Sequence, residues 1–155
     1  MNKKNKGQIA IEYIIFIAIF LLFFQAVVKP SVDFAESVIN DVQSISVAKE
    51  NVSNLADNIN SLESSLGYGK RLMFFYLPNN ATLTLCDESQ ITYVVSISNA
   101  KPSPPNPPCD VNVCSFGEDL YLGGHDISCE VIGPGFTGNL ILEKTEAGDI
   151  DVSIQ

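Results

Sequence analysis

The sequence predicts an α+β protein in which a long N-terminal hydrophobic helix, kinked near Pro30, is followed by a small antiparallel β domain. Three observations support this fold class. An apolar segment runs from residue 9 to residue 28, apolar residues then recur every three or four positions, and strand-like alternation separated by turn residues fills the remainder. With 155 residues, the chain has room for about one ordinary domain and an appendage.

The segment from Ile9 to Val28 is long enough to cross a lipid bilayer. Its 20 residues would form a helix of about 30 Å, which is the thickness of the hydrocarbon core. Residues Tyr13–Phe24 are apolar throughout, and Glu12 carries the segment's one charge. Three lysines precede the segment, whereas the rest of the chain is acidic. This asymmetry predicts a cytoplasmic N-terminus, because basic residues stay on that side of a membrane helix.

A second helical region is predicted beyond Pro30. Proline has no N–H and clashes with the preceding turn, so we expect a kink or break there. Ser31 is a candidate N-cap of the resumed helix, and Gly67 is suited to its C-terminal stop. An apolar stripe at steps of three and four consists of Ala35, Val38, Val42, Ile45, Ala48, Val52, Leu55, Ile59, Leu62 and Leu66. The stripe packs on the chain's own sheet, on neighbouring chains, or on both.

From residue 68 onward the pattern changes to an alternation with a period of two, which is typical of strands. Turn residues such as Gly123-Gly124 and Gly148-Asp149 separate the strands. The Pro-rich stretch 101–108 is predicted to be an exposed, extended loop. The predicted strands are Arg71–Leu77, Thr82–Cys86, Ile91–Ser98, a short one near Val111–Cys114, Leu120–Leu122, Ile127–Ile132, Leu140–Lys144 and Ile150–Ile154.

The N-terminal stretch KKNKGQIAIEYIIFIAIFLLFF resembles the class III signal peptides of archaeal type IV pilin-like proteins. In that family a short basic leader ends in Lys-Gly, and the mature chain begins with Gln. An acidic residue followed by Tyr then lies just inside the hydrophobic helix. Lys6, Gly7 and Gln8, together with Glu12 and Tyr13, match this pattern. An ordinary secretory signal fits less well, because the small residue precedes the apolar segment instead of following it.

The resemblance implies that a prepilin peptidase on the cytoplasmic face cuts between Gly7 and Gln8. Together with Pro30 and the change of pattern at residue 68, it divides the chain into a cleaved leader (1–7), a transmembrane and filament-core helix (8–29), an amphipathic continuation (30–67) and an extracellular β-rich head (68–155). It also implies that Glu12 pairs with the N-terminal amine of Gln8 on a neighbouring copy. The expected partners are the membrane, the peptidase, the pilus assembly machinery and other copies of the chain in a helical filament.

Four cysteines, Cys86, Cys109, Cys114 and Cys129, lie in the predicted head. If the head faces the oxidising side of the membrane, two disulfides are expected. Two pairings are considered, Cys86–Cys129 with Cys109–Cys114, and Cys86–Cys109 with Cys114–Cys129. Free buried thiols are a further alternative. A metal site is disfavoured, because no Cys-x-x-Cys motif occurs and His125 is not spaced to join any cysteine pair.

Two N-x-Ser/Thr sequons occur, at Asn51 and at Asn80. Asn80 falls in a predicted turn and is the better candidate for glycosylation. Asn51 lies on the predicted helix, where packing would shield it. The resemblance implies, rather than demonstrates, that the extracellular part carries glycans.

No feature of the sequence indicates an enzyme or a cofactor. His125, Asp126 and Ser128 invite comparison with a catalytic triad, but neighbours in sequence rarely supply triad geometry, and Gly123-Gly124-His125-Asp126 is more simply a turn. The formal net charge of −9 argues against binding to nucleic acid, since phosphate contacts require a basic face.

The function predicted from the sequence is therefore structural. The chain is expected to be a subunit of an archaeal type IV pilus-like surface filament, held in the cell membrane as a precursor and extracellular when mature. The alternative is a minor pilin or membrane-anchored surface protein whose β domain binds a glycan or a surface as an adhesin. A membrane-anchored enzyme is the least favoured reading, because no catalytic site is visible.

Overall fold

The protein has the predicted α+β fold, with one long N-terminal helix followed by β-sheets. The computed structural model describes residues 3–86, 89–98, 109–110 and 112–155. The chain divides into two compact units with their boundary between Ile39 and Asn40. The described part of the first unit, residues 3–39, is helical, whereas the second unit contains the rest of the helix and both sheets.

The helical region consists of α1 (Lys3–Phe23), a π-helical segment (Phe24–Val28) and α2 (Lys29–Glu63), which follow one another without a gap. The expected break at Pro30 does not occur. The irregularity lies one turn earlier, where the Lys29 N–H donates to the carbonyl of Phe24, five residues back. This wider turn accommodates a proline that has no N–H and needs space for its ring.

Both predicted helix-terminus roles are wrong. Ser31 is not an N-cap: it lies inside the continuous helix, and its hydroxyl donates to the Val27 carbonyl at 2.8 Å. Gly67 does not end the helix either, because α2 ends at Glu63. Leu66, the last residue of the predicted stripe, is consequently outside the helix and fully exposed.

Two four-stranded sheets follow the helix. The first has the order β1-β7-β8-β6, and the second has the order β2-β3-β5-β4. An isolated antiparallel bridge pairs Leu83 of the second sheet with Ile132, which follows strand β6 of the first sheet. The strands are β1 (Gly69–Tyr76), β2 (Ala81–Cys86), β3 (Gln90–Ser96), β4 (Cys109–Asp110), β5 (Val113–Asp119), β6 (Ile127–Cys129), β7 (Thr137–Lys144) and β8 (Ile150–Ile154).

The strands differ from the prediction in two respects, the direction of one pair and the position of one strand. The described strand pairs are antiparallel except β6 and β8, which are parallel. This follows from the connection, since β7 intervenes and returns the chain through β8 in the direction of β6. The predicted strand Leu120–Leu122 is absent, and β5 occupies the preceding residues Val113–Asp119 instead. The Pro-rich stretch 101–108 lies outside the described residues.

One hydrophobic core unites the second half of α2 with both sheets. The helix contributes the buried side chains Ala48, Val52, Leu55, Ala56, Ile59 and Leu62. Phe75, Leu140 and Val152 from the first sheet and Ile91, Tyr93 and Val95 from the second complete it. The stripe predicted from the sequence is thus packed on the chain's own sheets from Ala48 onward.

Candidate functional site

The first unit exposes an apolar helical surface. Its large apolar side chains from Ile11 to Phe24 are between 42% and 67% exposed. Every residue from Tyr13 to Phe23 is apolar, so this part of α1 has no polar face that water would solvate. By length and composition the helix can cross a membrane, and such a segment serves as a membrane anchor or a signal sequence.

The predicted processing residues lie near the start of this helix. Lys6, Gly7 and Gln8 belong to the first turns of α1, and Glu12 follows Gln8 by one helical turn on an exposed position. A protease cleft binds an extended backbone, so cleavage between Gly7 and Gln8 would require the first turns of α1 to unwind. The predicted Glu12 contact with Gln8 joins two copies, and a single chain does not test it.

The four cysteines form two disulfides, in the first of the two pairings considered from the sequence. Cys86 is bonded to Cys129, and Cys109 to Cys114, with S–S distances of 2.11 and 2.08 Å. The first disulfide links β2 to β6 and therefore joins the two sheets, whereas the second links the paired strands β4 and β5. The second unit is thus cross-linked both between its sheets and within one of them.

Both sequon asparagines have their side-chain amide engaged in the fold. The Asn51 amide donates to the Val47 carbonyl at 2.8 Å along the helix. The Asn80 amide donates to the Ser96 carbonyl at 2.8 Å, and the Ser96 N–H donates back to the Asn80 carbonyl at 2.7 Å. Glycosyl transfer uses this amide nitrogen, so a glycan would have to be attached before these bonds form.

His125 lies in a turn and faces a glutamate of the helix. The Gly123 and Gly124 backbones have positive φ, and the His125 N–H donates to the Leu122 carbonyl at 3.0 Å. The imidazole Nε2 lies 3.7 Å from Glu63 Oε1. Asp126 instead accompanies Asp149, whose carboxylate accepts the Asp126 N–H at 3.2 Å. The predicted turn therefore holds His125 against α2 rather than beside Asp126 in a triad-like arrangement.

Sequence reasoning missed the ion pair between Glu63 and Lys144. Lys144 Nζ lies 3.1 Å from Glu63 Oε2, and the two side chains are only 11% and 14% exposed. The same ammonium donates to the Glu63 carbonyl at 2.6 Å and to the Ser65 carbonyl at 3.4 Å. A cation at the C-terminus of a helix satisfies its last carbonyls and its dipole. The sequence does show a lysine at the end of a predicted strand and a glutamate near the end of the helix. Because the two residues are far apart in sequence, nothing in the pattern pairs them.

Tyr93 places a phenol in the core without a hydrogen-bond partner. Its ring stacks on Phe116 with a centroid separation of 5.3 Å. The hydroxyl is buried and unbonded within the part of the chain that the structure describes. Burial, and secondarily the charge of Glu118, raises the pKa of Tyr93 to about 12. The neutral phenol is therefore the form that the fold favours.

The described surface of the second unit includes two open grooves. One, of about 280 Å³, lies near the β7–β8 turn and is lined by three aspartates, two hydroxyl residues and two isoleucines, namely Asp126, Asp149, Asp151, Ser128, Thr145, Ile127 and Ile150. No three His, Cys, Asp or Glu side chains in the described ranges are arranged to hold a metal ion. The other groove, of about 340 Å³, lies between α2 and the end of β1, and the residues lining it are uncharged.

Comparisons with protein-family models, with curated proteins and with solved structures found no match to this chain. The residues themselves therefore carry the functional argument. They present a helical segment whose large apolar side chains are exposed from Ile11 to Phe24, and a second unit that is folded around its own core and cross-linked by two disulfides.

Proposed function

We propose that the chain is a structural subunit of an archaeal type IV pilus-like surface filament, assembled through its N-terminal hydrophobic helix. The exposed apolar surface of α1 is the observation that carries the proposal. A helix of this kind must be covered by lipid or by other protein, because exposed apolar area costs about 25 cal/mol per Å² in water. Lipid covers it before assembly, and helices of other copies cover it in the filament.

The second unit is consistent with a subunit that assembles through its N-terminal helix. Its core is closed, since the helix from Ala48 onward packs against both sheets of its own chain. Disulfides persist in oxidising compartments, so the Cys86–Cys129 and Cys109–Cys114 bonds agree with a head outside the cell. The subunit then stores its apolar helix in the membrane and exposes a self-sufficient head on the filament surface.

Processing and assembly follow from the resemblance of the N-terminal stretch to pilin signal peptides. A prepilin peptidase removes residues 1–7 and leaves Gln8 with a free amine. The carboxylate of Glu12 on one copy then pairs with the Gln8 amine of another. Such a pair would favour correct register, because leaving either charge without its partner in an apolar filament core is costly.

N-terminal sequencing of the cell-associated protein tests the proposal. The mature wild-type chain should begin at Gln8 and still contain the apolar helix, and sheared surface filaments should contain it. A Gly7→Val variant should keep its leader, because a branched side chain obstructs the cleft, whereas the neighbouring Asn5→Ala variant should be processed normally. A mature chain released into the medium without residues 8–28 would refute the proposal.

A second experiment separates processing from assembly. Glu12→Ala should be cut after Gly7 like the wild type but enter sheared filaments much less efficiently, since the Gln8 amine would lose its counter-charge. Glu36→Ala is the matched control, because Glu36 is an exposed acid farther along the same helical unit. Equal incorporation of the two variants would exclude the role of Glu12.

The alternative function, a minor pilin or anchored adhesin, is favoured by the uncharged groove beside α2. The abundance of the chain distinguishes the two functions. A major subunit dominates a sheared filament preparation, whereas a minor or tip subunit contributes a small fraction of it.

A further inference from the structure

The uncharged groove on the second unit brings amide, hydroxyl and aromatic side chains together around one cavity. Its volume is about 340 Å³, which is within the usual range of small-molecule sites. One wall is a face of α2 and the other is the end of β1 with the residues after it. The lining residues are Asn40, Gln43, Ser44, Val47, Tyr76 and Pro78.

The helical wall presents its polar groups on a single face. Asn40, Gln43, Ser44 and Val47 follow one another at the i, i+3, i+4 and i+7 spacing that places side chains side by side on a helix. The Asn40 and Gln43 amides make no hydrogen bond to another described residue, in contrast to Asn51 farther along α2, which donates to its own helix. Two amide NH2 groups and two amide oxygens thus have no partner among the described residues and line the groove.

The opposite wall is fixed by the fold. Leu77, between the two lining residues of this wall, donates its N–H to the Phe136 carbonyl at 2.9 Å. The Pro78 carbonyl accepts the N–H groups of Ala81 and Gly135, each at 3.0 Å. Gly135 has φ +72°, and a side chain there would collide with Asn79. A wall held in this way needs no ordering when a ligand binds, which lowers the cost of binding.

The aromatic part of the site is Tyr76, the last residue of β1. Its partner in the sheet is Thr137 on β7, and its side chain remains 39% exposed. An exposed ring at the edge of a cavity offers an apolar surface for contact and a hydroxyl for hydrogen bonding. It therefore complements the polar wall with a surface that suits aliphatic C–H groups.

The chemistry of this lining selects a class of ligand. All six lining residues are uncharged although the chain has a formal net charge of −9, so the groove offers no counter-charge to an ion. Amides and hydroxyls both donate and accept, which matches a ligand with many hydroxyl groups. The ring favours a ligand that also has an apolar face. A pyranose sugar combines these properties, with hydroxyls at its rim and C–H groups on its faces.

We propose that the groove between α2 and the end of β1 binds a neutral saccharide. The sugar hydroxyls bond to the Asn40 and Gln43 amides, and its C–H face lies on the Tyr76 ring. The proposal does not depend on filament assembly, because all six lining residues belong to one unit of one chain. The sugar comes either from an external polysaccharide or from a glycan on the protein itself, such as one attached at nearby Asn80.

Saturation-transfer NMR on the unassembled full chain tests the site. The chain is made in a host without N-glycosylation and held in micelles of a detergent without a sugar headgroup. Glucose, galactose, mannose and N-acetylglucosamine are added singly up to high millimolar concentration. We expect saturable binding of at least one of them. Absence of binding by all four would overturn the proposal.

Variants locate the binding. Asn40→Ala with Gln43→Ala should weaken the affinity about tenfold or more, as expected for two lost hydrogen bonds. These positions are exposed on a helix that tolerates alanine, so the fold should survive. Asn54→Ala removes an exposed amide of the same helix outside the groove and should bind like the wild type. Equal affinity of the double variant and the wild type would also overturn the proposal.

A comparison of two preparations identifies the source of the sugar. If the chain purified from its native host carries a glycan at Asn80 and binds added sugar only after the glycan is removed, the occupant is its own glycan. If both preparations bind the added sugar equally, the occupant is external. Either result requires the groove to bind saccharide.

Discussion

Replacement of Lys144 by methionine should destabilise the second unit strongly, although it changes one residue near the surface. Methionine keeps the apolar stem of lysine but removes its ammonium. Among the described residues, the Glu63 carboxylate, 14% exposed, would then keep His125, at 3.7 Å, as its remaining ion-pair partner. The Oε2 atom of Glu63 is buried and has no hydrogen bond within the described residues, so the ion pair is its main compensation.

The magnitude follows from burial. Removal of one partner of a buried ion pair costs about 3 to 5 kcal/mol, because the other charge stays buried without compensation. Lys144 also donates to the Glu63 and Ser65 carbonyls at the end of α2, and losing a charged donor there adds to the penalty. The partial exposure of the pair and the proximity of His125 reduce it. We therefore expect a loss of about 3 kcal/mol in the free energy of unfolding.

Lys70 provides a matched control. Lys70 Nζ and Glu143 Oε2 are also 3.1 Å apart, but these side chains are 60% and 52% exposed. Exposed pairs contribute about 0 to 1 kcal/mol, so Lys70→Met should cost little. Urea unfolding of the full chain in micelles, followed by tyrosine fluorescence, measures both variants. Equal losses for Lys144→Met and Lys70→Met would refute the reasoning, as would additive effects of Lys144→Met and Glu63→Gln, because paired residues should couple.

Three further perturbations test the core and its cross-links. Leu55→Ala should lower the free energy of unfolding by about 2 to 5 kcal/mol, since Leu55 is fully buried. Val42→Ala, at a 61% exposed site of the same helix, should change it by less than about 0.5 kcal/mol. Equal losses for the two variants in urea titrations would contradict the assigned core. The Cys86–Cys129 disulfide spans 43 residues, and replacing both of its cysteines by serine should lower the free energy of unfolding by about 4 kcal/mol. The same replacement at the Cys109–Cys114 disulfide, which spans five residues, should lower it by about 2 kcal/mol. Thermal unfolding that ranks the two losses in the opposite order would exclude loop entropy as the cause. Because the pKa of Tyr93 is raised, the unfolded chain releases the phenol proton at a lower pH than the folded chain does. The contribution of the neutral phenol to the free energy of unfolding is therefore complete below about pH 10 and is lost as the pH rises towards about 12. In alkaline urea titrations the wild type should lose about 2 to 3 kcal/mol of stability over this range, and the loss in Tyr93→Phe should be smaller by that amount.

The general fold was predictable because the helix and the strands have different apolar periods. The uninterrupted apolar run and the stripe with steps of three and four gave the long helix, and the period of two gave most of the strands. Both disulfides follow one of the pairings that the four cysteines allow. For the helix and the strands the information lies in residues close together in sequence, where pattern and conformation are directly connected, whereas the sequence left the choice between the cysteine pairings open.

The predicted strand Leu120–Leu122 failed because distant residues supply its hydrogen bonds. Leu120 and Leu122 are buried and Tyr121 is exposed, so the predicted alternation is real. However, the Tyr121 N–H donates at 2.9 Å to the side-chain amide oxygen of Asn60 on α2, not to a neighbouring strand. The Leu120 N–H donates to the Ser89 carbonyl. An alternating segment becomes a strand only if another strand pairs with it, and the sequence pattern does not reveal the partner.

The apolar stripe of α2 shows the same principle on a larger scale. Its residues recur at steps of three and four from Ala35 to Leu62, yet they are buried in the core only from Ala48 onward. Val42 remains 61% exposed although it belongs to the same stripe. The difference arises because the sheets pack against the helix from Ala48 onward but do not cover Val42. An apolar surface that its own chain leaves uncovered must be covered by lipid or by other chains. The exposed part of the stripe and the apolar α1 therefore both require contact with lipid or with other chains. Assembly of subunits through their helices would cover both surfaces.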